Sequence, residues 1–187
     1  MSHLRRQPTL TTARLVLRPF TLADAPQVRE LAGAFAVADT TLHIPHPYPE
    51  GAAEAWIAMH GPEWATGAGA TFAVTEREGA ALVGAVGVVI DAASESAELG
   101  YWIAADRWGR GYATEAGRVI VAYCFAALGL RRVHARHFTR NPASGRVLEK
   151  LGMQRTGQRS VVRKAERDEE VAELEIVAEV ESAGLAE

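Results

Sequence analysis

The stretch AELGYWIAADRWGRGYAT, from Ala97 to Thr114, constrains this chain more than any other. It predicts a strand that runs into a glycine-rich turn and then a helix. Glu98, Gly100, Trp102 and Ala104 alternate with Leu99, Tyr101 and Ile103, the two-residue period of a strand. Gly109, Arg110 and Gly111 break that period, and from Tyr112 onward the apolar spacing turns helical. A glycine turn at a helix N-terminus offers free backbone N–H groups and the positive end of the helix dipole, which suits an anionic phosphate. Arg107 and Arg110 flank the turn and can add charge-assisted bonds. The same glycines also suit a plain tight connection.

Two nucleotide-binding motifs do not fit. A dinucleotide fingerprint wants a third glycine where Thr114 stands, and an acidic residue about 20 positions on. The chain has the Arg131–His137 run there. A Walker A loop needs Gly-Lys-Ser/Thr, which is absent.

Trp108-Gly-Arg-Gly-Tyr-Ala-Thr-Glu-Ala116 resembles the acetyl-CoA pyrophosphate loop of the GNAT superfamily of N-acetyltransferases. The superfamily pattern Gln/Arg-x-x-Gly-x-Gly/Ala falls on Trp108 to Ala113, with Trp108 departing from Gln/Arg. An aromatic there is similar to the ribosomal-protein-alanine N-acetyltransferase subgroup. Asn141-Pro-Ala-Ser144, followed by Val147-Leu-Glu-Lys-Leu-Gly152, resembles that subgroup's downstream CoA-contacting helix. The likeness runs from Arg14-Leu-Val-Leu-Arg-Pro19 to about Val180. It implies an α+β fold with a mixed, mostly antiparallel central sheet flanked by helices, and acetyl-CoA at the splayed central strand. By resemblance the backbone at Ile103 and Ala104 holds pantetheine, amides at Gly109, Arg110, Gly111, Tyr112, Ala113 and Thr114 hold the pyrophosphate, and Trp108 is a further cofactor-binding residue. Asn141 becomes a CoA contact and Ser144 the proton donor to the leaving thiolate, a task that tyrosine performs in some family members.

The length of 187 residues and 48% hydrophobic content suit one domain, 1–187, with a core from about 12 to 180. The net charge of −3 argues against a general nucleic-acid binder, which is usually basic. Cys124 is the only cysteine, so no intrachain disulfide can form, as expected of a cytoplasmic protein. It lies in an apolar helical run, as a small buried residue would. No apolar stretch is long enough to span a membrane, and Met1–Thr12 lacks a signal peptide's apolar core. A monomer or a homodimer is expected.

The first strand is expected at Arg14–Pro19, then a helix capped by Asp24 with Gln27 and ending near Gly33. Thr40–Glu50 holds Pro45, Pro47 and Pro49, so it reads as a loop. It carries His43, His46 and Tyr48. Loops on rigid scaffolds often bind ligands, although a proline-stiffened connection explains the segment as well. The resemblance implies that this region helps form the acceptor site, which makes His46 and Tyr48 candidate substrate contacts. Spacing of the His43–His46 kind can suggest zinc, but no acidic partner is evident and no metal is expected.

Glu54–His60 predicts a short helix exposing Trp56, and Ala70–Thr75 and Ala81–Ile90 a pair of strands around Glu78-Gly79. The helix Tyr112–Leu128 places Ala113, Ala116, Ile120, Tyr123 and Ala127 on one stripe, with Gly129 beyond its end. Val133–Phe138 is the next strand, in which His134 and His137 face opposite ways. Asn141 at the N-cap and Pro142 after it start a helix without help from any ligand. Its expected stripe is Ala143, Val147, Leu148 and Leu151. A hairpin, Gln158–Arg163 with Glu170–Val180, closes the chain around the charged turn Lys164–Glu169; Glu173, Glu175 and Glu179 alternate with Leu174, Ile176 and Ala178 and read as a solvated face, and Glu181–Glu187 is expected to fray.

Acetyl transfer needs a neutral amine, a place for the developing oxyanion and a proton for the thiolate. An α-amine with pKa about 8 is roughly a tenth neutral at pH 7, and a lysine amine near 10.4 under about a thousandth. Glu98, on the central strand just before the turn, is the candidate base, and the family often places a water-linked carboxylate there. A surface or paired glutamate is the alternative. The expected function is acetyl-CoA-dependent transfer to a primary amine, with a protein or peptide α-amine as acceptor. A small amine (aminoglycoside, amino acid or polyamine) and a non-catalytic acyl-CoA-binding module are the other options.

Overall fold

The computed structural model describes residues 6–178. Apolar and β-branched runs form the strands β1 Leu10–Thr11, β2 Leu15–Arg18, β3 Gly69–Glu76, β4 Leu82–Asp91, β5 Ser96–Ile103 and β6 Arg132–Phe138, and two longer, more polar runs form β7 Gln154–Lys164 and β8 Arg167–Val177. They make one sheet in the order β1-β2-β3-β4-β5-β6-β8-β7. Every neighbouring pair is antiparallel except β5 and β6, which are parallel. The mixed α+β architecture expected from the sequence is the one observed.

The helices α1 Ala25–Gly33, α2 Phe35–Asp39, α3 Ala52–Thr66, α4 Tyr112–Ala126 and α5 Pro142–Lys150 cover both faces. On one face Ile120 and Cys124 of α4 and Leu148 of α5 pack on Leu99 and Val133. On the other, Val28 and Ala32 of α1 and Ile57 of α3 pack on Ala85 and Trp102. Cys124 is fully buried, and burial pushes its thiol up to about 12.

Several local expectations change. Asp24 does not pair with Gln27. Its carboxylate accepts from the Thr21 N–H (2.8 Å) and both Arg18 Nη atoms (2.8 and 2.6 Å), closing a 3-10 turn, Leu22–Asp24, ahead of α1. Helix α3 continues through Pro62 to Thr66, whose hydroxyl donates to the Pro62 and Glu63 carbonyls. Trp56 is half-buried, not exposed, because Phe20 and His60 pack against it. Ala127 and Ala143 are exposed; of the expected stripe residues Ala116, Ile120, Leu148 and Leu151 are buried, joined by Gly117, Val121 and Cys124 in α4 and Gly145 in α5. The short β1 and α2 had no periodic signal. Glu181–Glu187 lies outside the described residues.

Glu173 and Glu175 are not a solvated face, although Arg159, Arg163, Asp168 and Glu170 of the same hairpin are exposed, and Glu179 lies outside the described residues. Glu169 is buried and accepts from Arg140 Nε (2.8 Å). Arg140 and Arg167 both reach Asp39 at the end of α2 (2.9 and 2.6 Å). Lys164 Nζ donates to the Leu42 and Ile44 carbonyls. Glu173 and Glu175 bond Arg132. The hairpin β7–β8 is thereby tied to the 39–44 segment.

His60 is buried with both ring nitrogens unpartnered, beside Trp56 at 4.4 Å between ring centroids. Burial pulls its pKa down from 6.5 to about 4. A group depressed in this way favours the fold fully above its unfolded pKa, and that contribution is lost as the pH falls through the folded value. We expect the melting temperature of the wild type to fall between pH 6.5 and about 4, and to fall less steeply in His60→Phe. Parallel pH profiles in the upper half of that window would exclude His60 as the cause.

Candidate active site

The ladder between β5 and β6 is short. It pairs Ser96 with Arg132, Ala97 with Val133 and Glu98 with His134, and stops there. Both strands continue, to Ile103 and Phe138, so they diverge and leave a gap. Ala104 N–H donates to Val83 O across β4 (2.8 Å). In an antiparallel ladder alternate residues bond the same neighbour. The Tyr101 and Ile103 backbones therefore face the gap, and Ala104 does not. Free strand groups for a pantetheine arm lie at the Tyr101 N–H and carbonyl and at the Ile103 N–H.

Two helices begin above this gap. After β5 a single 3-10 turn, Ala105–Arg107, leads to Trp108, whose Nε1 donates to the Ile103 carbonyl (2.7 Å). That bond ties the loop back to the strand end. Gly109 (φ +76°) and Gly111 (φ +82°) take left-handed conformations that favour glycine. Gly111 precedes α4, and no side chain caps its N–H groups. Tyr112 turns its hydroxyl away to Glu76 (2.8 Å), under the Arg14 guanidinium, and Arg14 also bonds Glu115 and the Arg110 carbonyl. Helix α5 begins as its sequence predicts: Asn141 Oδ1 accepts from the Ser144 N–H (3.2 Å), with Pro142 behind it.

Between the two helix starts lies a cavity of about 320 Å³. Gly109, Gly111, Tyr112, Ala113 and Thr114 line one side, and Asn141, Ser144 and Val147 the other. Arg107, Arg146 and Lys150 add positive charge to its wall. Unshared helix N–H groups, two left-handed glycines and three cations fit a diphosphate. Trp108 and Ile103 are on this wall, and Arg110 is not.

A second, larger cavity of about 550 Å³ opens on the other side of the gap. Apolar and aromatic groups dominate it, among them Val28, Ile44, Tyr48, Trp56 and Trp102. Its acidic residues are Glu63 and Glu98. Both Glu98 oxygens are engaged by Arg136, Nε to Oε1 at 2.9 Å and Nη2 to Oε2 at 3.1 Å. His43 and Tyr48 reach this wall. His46 turns away: its Nδ1–H donates to the Gly33 carbonyl (2.9 Å), and its ring meets Phe35 edge-on. Tyr48 packs closely on Gly33, where a Cβ would stand 2.7 Å from the tyrosine's own.

The two cavities share Thr40, Thr41, Tyr101, Trp102 and Ser144. At the junction the Tyr101 hydroxyl lies 2.7 Å from Ser144 Oγ. Burial raises the Tyr101 phenol to about 12, against a smaller opposing pull from the Ser144 bond. Residue reasoning placed Tyr101 on the strand but gave it no part in the site. Its signal was the alternation itself, which puts Tyr101 on the α4/α5 face. Among the described residues no three His, Cys, Asp or Glu side chains cluster as metal ligands do.

Residues 14–154 match the acetyltransferase (GNAT) domain model, well over half of the chain. An uncharacterised N-acetyltransferase of Bacillus subtilis (strain 168) is 32% identical over 153 residues, 80% of this chain and 85% of that protein. The ribosomal-protein-S5-alanine acetyltransferase of Vibrio fischeri superposes with a TM-score of 0.79 at 18% identity, covering 91% of this chain and 97% of that one. Spermidine N-acetyltransferase of Vibrio cholerae, solved with CoA and spermine, superposes at 0.75 with 21% identity, covering 89% and 96%. The chain belongs to the GNAT family and is an N-acetyltransferase of the acetyl-CoA-dependent kind.

Proposed function

We propose that this enzyme acetylates the α-amine of a protein or peptide whose first residues are apolar. The observation that carries this reading is the wall of the larger cavity. A polyamine bears several positive charges and is best held by several carboxylates. Here Glu98 is already forked to Arg136, which leaves Glu63 alone among aromatic and aliphatic groups. A single amine on an apolar body suits those surroundings. The α-amine also asks least of the enzyme, because about a tenth of it is neutral at pH 7.

The acyl donor is a consumed substrate, and it supplies a thioester whose sulfur departs as a thiolate. Amides of Gly111 to Thr114, with Arg107 and Lys150, hold its diphosphate, and the Tyr101 backbone with the Ile103 N–H holds the pantetheine arm. Asn141 fixes the start of α5 so that Ser144 stands at the junction of the two cavities. Ser144 Oγ gives the thiolate its proton. Glu98, through a water, receives the proton that the acceptor ammonium must shed, while Arg136 holds the carboxylate in place.

The test is thiol release from acetyl-CoA with a panel of acceptors. Peptides beginning with alanine, serine or a larger apolar residue should turn over faster than spermidine, free amino acids or aminoglycosides. Turnover confined to spermidine or an aminoglycoside would keep the chemistry and overturn the acceptor. Acetyl-CoA binding with no turnover on any member would favour a binding module.

A further inference from the structure

Acetylation of an ammonium moves two protons. One leaves the ammonium before nitrogen can attack. The second leaves nitrogen as the amide forms, while the departing sulfur gains one. Glu98 and Ser144 stand on opposite faces of the sheet's gap, since β5 alternates and Ser144 lies on the α4/α5 side. Glu98 is suited to the first proton and is poorly placed to pass the second one to sulfur. Tyr101 is one of the five residues shared by the two cavities, and it is the one whose hydroxyl bonds Ser144 Oγ. It lines the acceptor cavity and the diphosphate cavity, and its hydroxyl is 2.7 Å from Ser144 Oγ and 3.3 Å from the Ser144 carbonyl.

We propose that Tyr101 and Ser144 form a two-hydroxyl relay that carries the second proton from the acceptor nitrogen to the departing sulfur. This rests on the reading of Ser144 as the thiolate's proton donor. In the relay the Ser144 O–H bond breaks as an S–H bond forms. Tyr101 gives its proton to Ser144 Oγ, and Tyr101 oxygen takes the proton released by nitrogen. Both hydroxyls end as they began, one N–H is lost, one S–H is gained, and no outside base is consumed. The 2.7 Å separation is a good O–H···O distance for such a transfer. The buried phenol stays protonated at working pH, so it can donate. Glu98 is left with the first proton alone, which goes to solvent.

The experiment compares Tyr101→Phe, Ser144→Ala, the double variant and Glu98→Gln. Thiol release is followed with an alanine-ended peptide across pH, and again at high enzyme concentration with water as acceptor. Acetyl-CoA affinity by calorimetry and the melting temperature are measured on every variant. We expect Tyr101→Phe to lose about a hundredfold in kcat with acetyl-CoA affinity and melting temperature unchanged. The double variant should be no slower than Ser144→Ala, because one broken link already stops a relay. Glu98→Gln should move the pH profile with peptide, and Tyr101→Phe should lower it without moving it. A Tyr101→Phe enzyme with wild-type kcat, or a double variant showing the product of the single losses, overturns the relay. So does a Tyr101→Phe loss traced to weaker acetyl-CoA binding or a lower melting temperature, which would mark the tyrosine as structural. Wild-type turnover in Ser144→Ala overturns the parent reading of Ser144. A slow Ser144→Ala beside an unaffected Tyr101→Phe overturns the relay alone.

Discussion

Gly111→Glu should weaken acetyl-CoA binding by a hundredfold or more while the protein still folds. Three effects act together. Gly111 has φ +82°, and a residue with a Cβ pays about 1 kcal/mol or more there. The new carboxylate would sit beside the N–H groups that a diphosphate needs, and would satisfy them itself. Two unit charges about 5 Å apart at an effective dielectric near 20 also repel by about 3 kcal/mol, which is more than a hundredfold in affinity. Space is not the obstacle, since the nearest atom to a Cβ at this position is Arg14 Nη2 at 3.5 Å. Calorimetric titration of the variant with acetyl-CoA checks this, with Gly109→Glu as a companion, because nothing lies within 4 Å of a Cβ there. Wild-type affinity in Gly111→Glu would place the diphosphate elsewhere.

The parts of this site that could be read from sequence are those built by neighbours along the chain. Alternation through Glu98–Ala104, the glycines at 109 and 111 and the Asn141–Ser144 cap each involve a few adjacent residues, and the structure forms each of them. What could not be read is set by distant pairings. Tyr101 and Ser144 are 43 residues apart, and their contact depends on where the β5–β6 ladder stops. Arg140 reaches Asp39 across 101 positions, so the charges of the last hairpin looked solvated when read alone. Arg136 and Glu98 are 38 apart, and only their fork shows that the candidate base is already partnered. His46 and Tyr48 share one proline-rich loop, and by sequence both are candidate substrate contacts. Only the fold shows that the imidazole goes to Gly33 while the phenol goes to the cavity.

The strand glycines carry the same point to a second large effect. Gly84, Gly87 and Gly100 are all interior to strands and look alike in sequence. A Cβ on Gly84 would stand 2.2 Å from the Trp102 carbonyl oxygen and 3.1 Å from Ile103 Cα. Both are backbone atoms of β5, so no side chain can swing aside. The strands would have to part, and they would part beside the gap that holds the site. We expect Gly84→Ala to cost at least 4 kcal/mol, on the order of values that only backbone clashes and lost cores produce. In a protein of this size about 4 kcal/mol lowers the melting temperature by roughly 8–16 °C. A Cβ on Gly100 meets nothing within 4 Å, so Gly100→Ala should leave the melting temperature within a degree or two of wild type. That position lines the larger cavity, proposed to take the acceptor, and an effect there would fall on the acceptor's KM instead. Equal melting temperatures for Gly84→Ala and Gly100→Ala would mean that β4 and β5 do not approach as closely as the Gly84–Trp102 contact requires. The difference between the two variants separates a glycine held by the fold from one left open for a substrate.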